Sequence, residues 1–108
     1  MAHRILTPDL LERVAERFKA LAEPSRLQLL QSMKSGERTV GELVKHSGLT
    51  QANVSKHLQL LLALGFVRRR KEGLFTCYRL ADTDVFRLCD LMCGRLDRDI
   101  KARQKALD

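Results

Sequence analysis

Aromatic residues are scarce: four Phe, one Tyr and no Trp in 108 residues. So few rings cannot furnish the stacking platform of a single-strand nucleic-acid binder. Long apolar runs are missing too. The longest, Leu60–Leu64 continuing past Gly65 to Phe66-Val67, is too short to span a bilayer. The opening Met1-Ala2-His3-Arg4-Ile5-Leu6 lacks the apolar stretch of a secretory signal. The expectation is a cytoplasmic chain with no membrane role. Its three Cys are an odd number, and in a reducing compartment they stay thiols or bind something soft. There is no Gly-rich phosphate loop, no Ser-His-Asp arrangement and no metal motif of catalytic spacing, so nothing points to an enzyme or a small-molecule substrate. Repeats and linkers are also absent, and residues 1–108 read as one domain.

What is present is positive charge. Twenty Lys and Arg against thirteen Asp and Glu give a net charge of +7. That favours a polyanionic partner. A membrane surface fits less well, because the last stretch, Arg95 to Lys105, mixes signs through Asp97 and Asp99.

The pattern predicts a mainly α fold with a small β-hairpin. Thr7 caps a first helix over 7–22, in which Leu11, Val14, Phe18 and Leu21 recur at helical spacing. Glu23-Pro24 breaks it, and a second helix runs from Ser25 to Lys34 with Leu27, Leu30 and Met33 inward. Thr39-Val40-Gly41-Glu42 is a capping box that starts a third helix, Val40 to Ser47. Gly48 ends it, and Thr50 caps a fourth, Gln51–Leu64. Residues 66–80 form two β-prone runs, Phe66–Lys71 and Leu74–Leu80, around a turn at Glu72-Gly73. In that hairpin Val67 and Tyr78 share one face, and Arg68, Arg70 and Cys77 the other. A last helix spans 82–105, with Val85, Cys89, Met92, Cys93, Leu96 and Ile100 as its apolar stripe.

Two short helices joined across Gly48-Leu49-Thr50 make residues 39–64 a helix-turn-helix pattern. On the fourth helix, Val54, Leu58, Leu61 and Leu62 face the core. Ala52, Lys56 and Gln59 lie roughly opposite, flanked by Asn53 and Ser55, with Thr50 and Gln51 at the N-terminus. Gln and Asn pair with adenine, Lys with guanine, and small Ala52 permits close approach, which suits a major groove. The hairpin beside it opens with four cations, Arg68-Arg69-Arg70-Lys71. Strand alternation lets about two of these reach one duplex backbone; Arg68, Arg70 and Lys71 are assigned there. His57 lies at the edge of the core stripe, as either a hydrogen-bonded, partly buried ring or a further duplex contact.

These residues reach a known pattern. Phe18-Lys19-Ala20-Leu21-Ala22-Glu23-Pro24-Ser25-Arg26-Leu27, then Thr39–Leu43, then Leu49–Leu58 and the hairpin end Cys77-Tyr78-Arg79-Leu80 resemble the arsenical-resistance repressor (ArsR/SmtB) family. The resemblance implies a winged helix-turn-helix fold with about five helices and a two-stranded wing. It implies a homodimer on double-stranded operator DNA, released by an inducer. The first and last helices would dimerise, through Leu11, Val14, Phe18, Val85, Cys89, Met92, Cys93, Leu96 and Ile100. Half-sites would then lie about 34–36 Å apart, one helical turn of DNA.

The inducer stays open. Cys89 and Cys93 at i, i+4 project from one helix face, and with Cys77 could hold a thiophilic ion such as As(III), Cd(II) or Zn(II). Two Cys at helical spacing on an apolar face are more often small packing hydrophobes than ligands, with no ion at all, and redox sensing is a third reading. The family's thiolate run on the third helix is absent, its place taken by Glu42-Leu43-Val44-Lys45-His46; the zinc pattern of the last helix is absent too. A protein- or RNA-interacting winged helix with no inducer is the competing expectation.

Overall fold

The computed structural model describes residues 4–107, so His3 lies outside the described residues. The elements follow in the order α1 (Pro8–Leu21), α2 (Pro24–Ser32), β1 (Arg38–Thr39), α3 (Val40–Ser47), α4 (Gln51–Ala63), β2 (Val67–Glu72), β3 (Phe75–Leu80) and α5 (Asp84–Leu107).

Local chemistry sets most of these boundaries. The Thr7 hydroxyl accepts from the Leu10 N–H at 3.2 Å, and Pro8 occupies the first turn, where a missing N–H is harmless. At α3 both halves of the capping box form: Thr39 Oγ1 accepts from Glu42 N, and Glu42 Oε1 accepts from Thr39 N, each at 3.1 Å. Gly48 leaves the helix at φ 71°, a left-handed conformation that costs glycine nothing. Thr50 then caps α4 by accepting from Asn53 N at 3.2 Å. α2 starts at Pro24, one residue before the expected Ser25, and Glu23 caps it: its carboxylate accepts from Arg26 N at 3.0 Å.

The core gathers around α4. Leu29, Leu30 and Met33 from α2, Leu43 from α3 and Val54, Leu58 and Leu61 from α4 are buried, closed by Val67 and Tyr78 of the sheet and Val85 of α5. Leu29 is fully buried while Leu27, expected inward, is only partly so. Of α1 only Ala20 is buried, and of α5 only Val85. Val85, expected at the dimer interface, packs in the chain's own core.

The wing carries one strand more than expected. β1 pairs antiparallel with β3 through Arg38↔Tyr78 and Thr39↔Cys77, which makes β3 the centre of a sheet ordered β1-β3-β2. The hairpin turns at Gly73-Leu74, one residue later than expected, because Gly73 takes φ 61° at the first central position, as a type II′ turn demands. The pairing of β2 with β3 slides by two residues in consequence. An even slide preserves the faces, so Val67 and Tyr78 still share one, and Arg68, Arg70 and Cys77 the other.

Candidate nucleic-acid interface

α4 presents Gln51, Ala52, Asn53, Lys56 and Gln59 to solvent, with Ser55 half-buried among them and Thr50 exposed at the cap. Gln51, Ser55 and Gln59, four residues apart, line one helix edge. That edge forms a wall of a polar groove of about 370 Å³, whose floor includes Thr39 and Val40 and whose far wall is the wing, through Arg69, Thr76 and Tyr78. Helix and hairpin thus open onto one shared concavity.

The basic run of the wing divides between two faces. Arg69 and Lys71 lie with Val67, Tyr78 and Thr76 on the face turned toward α4. Arg69, outside the set that the sequence pattern assigns to DNA, lines the groove. Arg68 sits on the outer face directly opposite Arg79. Two like charges across a strand pair are unfavourable unless an anion shares them. Among the described residues Lys56, Arg68, Arg69, Lys71 and Arg79 form no ion pair, so their charge is free for a polyanion.

Arg70 is committed elsewhere. Its Nε donates to Glu37 Oε2 at 2.8 Å and its Nη2 to Glu37 Oε1 at 2.6 Å, while Nη2 also reaches Glu72 Oε2 at 2.9 Å. The bond to Arg70 in turn holds the Glu37 carboxyl below its ordinary value. Instead of offering a free charge to a phosphate, Arg70 pins β2 to the segment before β1. His57 is likewise turned inward: its Nδ1 lies 3.2 Å from Arg26 Nη1 and its Nε2 3.9 Å from Glu23 Oε2. Of the two expectations for this ring, the structure supports the hydrogen-bonded, partly buried one.

The three thiols do not meet. Cys77 is buried in the sheet, and its sulfur lies within 4.8 Å of carboxylate oxygens of Glu37 and Glu72. Burial, and secondarily Glu37, push its thiol up, away from the thiolate a soft ion needs. Cys89 is half-buried and Cys93 exposed, both on α5. Cys89 borders an apolar groove of about 560 Å³ with Phe18 and Leu21 of α1 and Leu88, Leu91 and Met92 of α5. The remaining stripe residues Leu11, Phe18, Met92, Leu96 and Ile100 are all about half exposed or more, and Val14 is partly buried. Among the described residues, no helix is long and apolar enough to cross a membrane.

Residues 23–69 match the family model described as bacterial regulatory protein, arsR family. A probable mercury resistance operon repressor of Streptomyces lividans is 43% identical over 74 residues, 68% of this chain and 59% of that protein, so the chain spans about three fifths of this relative's length. The crystal structure of Rv0081 from M. tuberculosis superposes with a TM-score of 0.79 at 33% identity, covering 90% of this chain and 98% of the other. The solution NMR structure of the homodimeric winged helix-turn-helix DNA-binding domain Mb0332 from Mycobacterium bovis does so at 0.75 and 35% identity, covering 94% and 95%. With its winged helix-turn-helix architecture and these relatives, the chain belongs to the ArsR family of bacterial regulatory proteins.

Proposed function

We propose that the chain is a homodimeric, sequence-specific DNA-binding repressor of the cytoplasm, built as one domain and without catalytic activity. The observation that carries this reading is the shared groove, in which Gln51, Ser55 and Gln59 of α4 face Arg69 and Thr76 of the wing; Lys56 on the same helix and Arg68 and Lys71 on the same strand are exposed. Gln51, Asn53 and Lys56 would read base edges in a major groove, which carries the information to distinguish all four base pairs. Thr50, Ser55 and Gln59, with Arg68, Arg69 and Lys71, would hold phosphates and fix register. A pure protein-adaptor surface would not need this concentration of uncompensated cations.

Dimerisation would cover the exposed stripe of α1 and α5, where Leu11, Phe18, Met92, Leu96 and Ile100 lack cover from their own chain. The homodimeric relative supports a homodimer. The inducer would act at Cys89 and Cys93, as a thiophilic ion such as As(III) or Hg(II), or as an oxidant, because Cys89 borders the apolar groove between α1 and α5 and Cys93 is exposed one turn further along α5. The Streptomyces relative's connection to mercury resistance supports a soft ion. Cys77 drops out of the site.

A gel-shift titration tests the reading. DNA from upstream of the chain's own gene should bind at least tenfold tighter than a scrambled duplex, and affinity should fall steeply with salt as counterions are released. As(III) or Hg(II) should release the complex, and a Cys89→Ser/Cys93→Ser variant should not respond. Equal affinity for both duplexes would refute the repressor; equal release of both proteins would refute the thiol site.

A further inference from the structure

Arg26 joins three elements at once. From the first turn of α2 its Nε donates to the Ala20 carbonyl at 2.6 Å and its Nη2 to the Lys19 carbonyl at 3.4 Å, both in the last turn of α1. The Ala20 carbonyl would otherwise lack a helical donor, since the residue four positions on is Pro24. The remaining arm, Nη1, reaches His57 Nδ1 on α4 at 3.2 Å. A guanidinium only donates, so Nδ1 must be bare and the ring hydrogen must sit on Nε2. Nε2 faces Glu23, whose Oε2 lies 3.9 Å away and also accepts from Arg26 N at 3.0 Å.

We propose that Arg26 is a positioning residue for the DNA-reading helix, tying α4 to the end of α1 through the unprotonated Nδ1 of His57. The proposal rests on the DNA-binding reading above. His57 flanks the buried stripe Val54, Leu58 and Leu61 on the side away from the groove. A tether at that edge sets the rotation of α4 about its axis, and so the direction in which Gln51, Ser55 and Gln59 point. Its other end is α1, the helix that exposes Leu11 and Phe18 for a second copy.

The bond needs a bare Nδ1, because Arg26 Nη1 has only hydrogens to offer. Glu23, on the other side of the ring, fixes its orientation through Nε2.

The test compares the full chain with Arg26→Met, Arg26→Lys, His57→Asn and His57→Leu at constant salt and pH 7.5, using the upstream duplex. Asn places an acceptor near the Nδ1 position, and Leu removes it. Arg26→Met and His57→Leu should each lose about tenfold in affinity. His57→Asn should recover most of that loss, and Arg26→Lys should fall between Arg26→Met and the wild type. Full affinity in Arg26→Met would overturn the proposal, as would equal losses in His57→Asn and His57→Leu. Should Arg26→Met fail to melt cooperatively, the other three variants decide. Should the wild type show no preference for the upstream duplex, the DNA-binding reading fails instead. The tether then stands or falls on ring ¹⁵N correlations at pH 7.5: hydrogen on Nε2 supports it, hydrogen on Nδ1 contradicts it.

Discussion

Arg70 on β2 reaches across the central strand to Glu37, closing a two-pronged ion pair at 2.6 and 2.8 Å over Cys77. The pair separates the cations of the wing by task. Arg70 braces the sheet, whereas Arg69, its neighbour in sequence, lines the groove beside α4.

Exchange of roles between these two arginines is the first prediction. Arg69→Ala should weaken binding to specific and scrambled duplexes alike and lower the slope of log affinity against log salt by about one. Arg70→Ala should leave that slope nearly unchanged and lower the melting temperature, more so at low salt. Salt-dependent anisotropy titrations and thermal melts on both variants check this. Lys56→Ala should instead lose discrimination between the specific and scrambled duplexes, as expected of a contact to a base edge.

The stripe of α5 separates in the same way. Val85→Ala removes buried methyls from the chain's own core and should cost about 2 kcal/mol of stability. Met92→Lys or Leu96→Lys should leave each chain folded but shift the dimer toward monomer, because these side chains are exposed in the single chain. Sedimentation velocity across a concentration series, beside chemical denaturation, distinguishes the two outcomes.

Acid should loosen the wing base and α3. Backbone and side-chain bonds to Thr39 hold the Glu42 carboxyl below its ordinary value of 4.5, as Arg70 holds Glu37. A carboxylate with a depressed native pKa contributes stability that is complete above the unfolded value and is lost as pH falls through the native one. The contributions of both residues should therefore be intact at neutral pH and disappear below 4.5. Glu42→Gln should flatten the acid limb of a stability-against-pH curve, measured by denaturant melts from pH 7 to 3.

Much of this architecture was legible because it is local. The caps at Thr7, Thr39 and Thr50 and the exit at Gly48 each depend on residues three or four apart, within reach of a sequence pattern. The core face of α4 was legible for the same reason: Val54, Leu58 and Leu61 keep helical spacing. β1 was not, because two residues carry no periodicity, and their pairing with Tyr78 and Cys77 is set by the tertiary fold. Periodicity also cannot say whether an apolar stripe is buried by its own chain or by another, which is why Val85 was grouped with Met92. Arg26 and His57, 31 residues apart, could not be paired from the sequence. Arg69 could have been found: strand alternation places it on the face of Val67 and Tyr78, and past the core's edge that face emerges beside α4.

Amide chemical-shift mapping of the ¹⁵N-labelled chain, titrated with the upstream duplex, tests the DNA-binding surface most directly. Shifts should concentrate at Gln51, Asn53, Ser55, Lys56 and Gln59 and along Arg68 to Lys71, leaving the outward stripe of α5 unmoved. Shifts confined to α1 and α5, with α4 silent at saturation, would contradict the account.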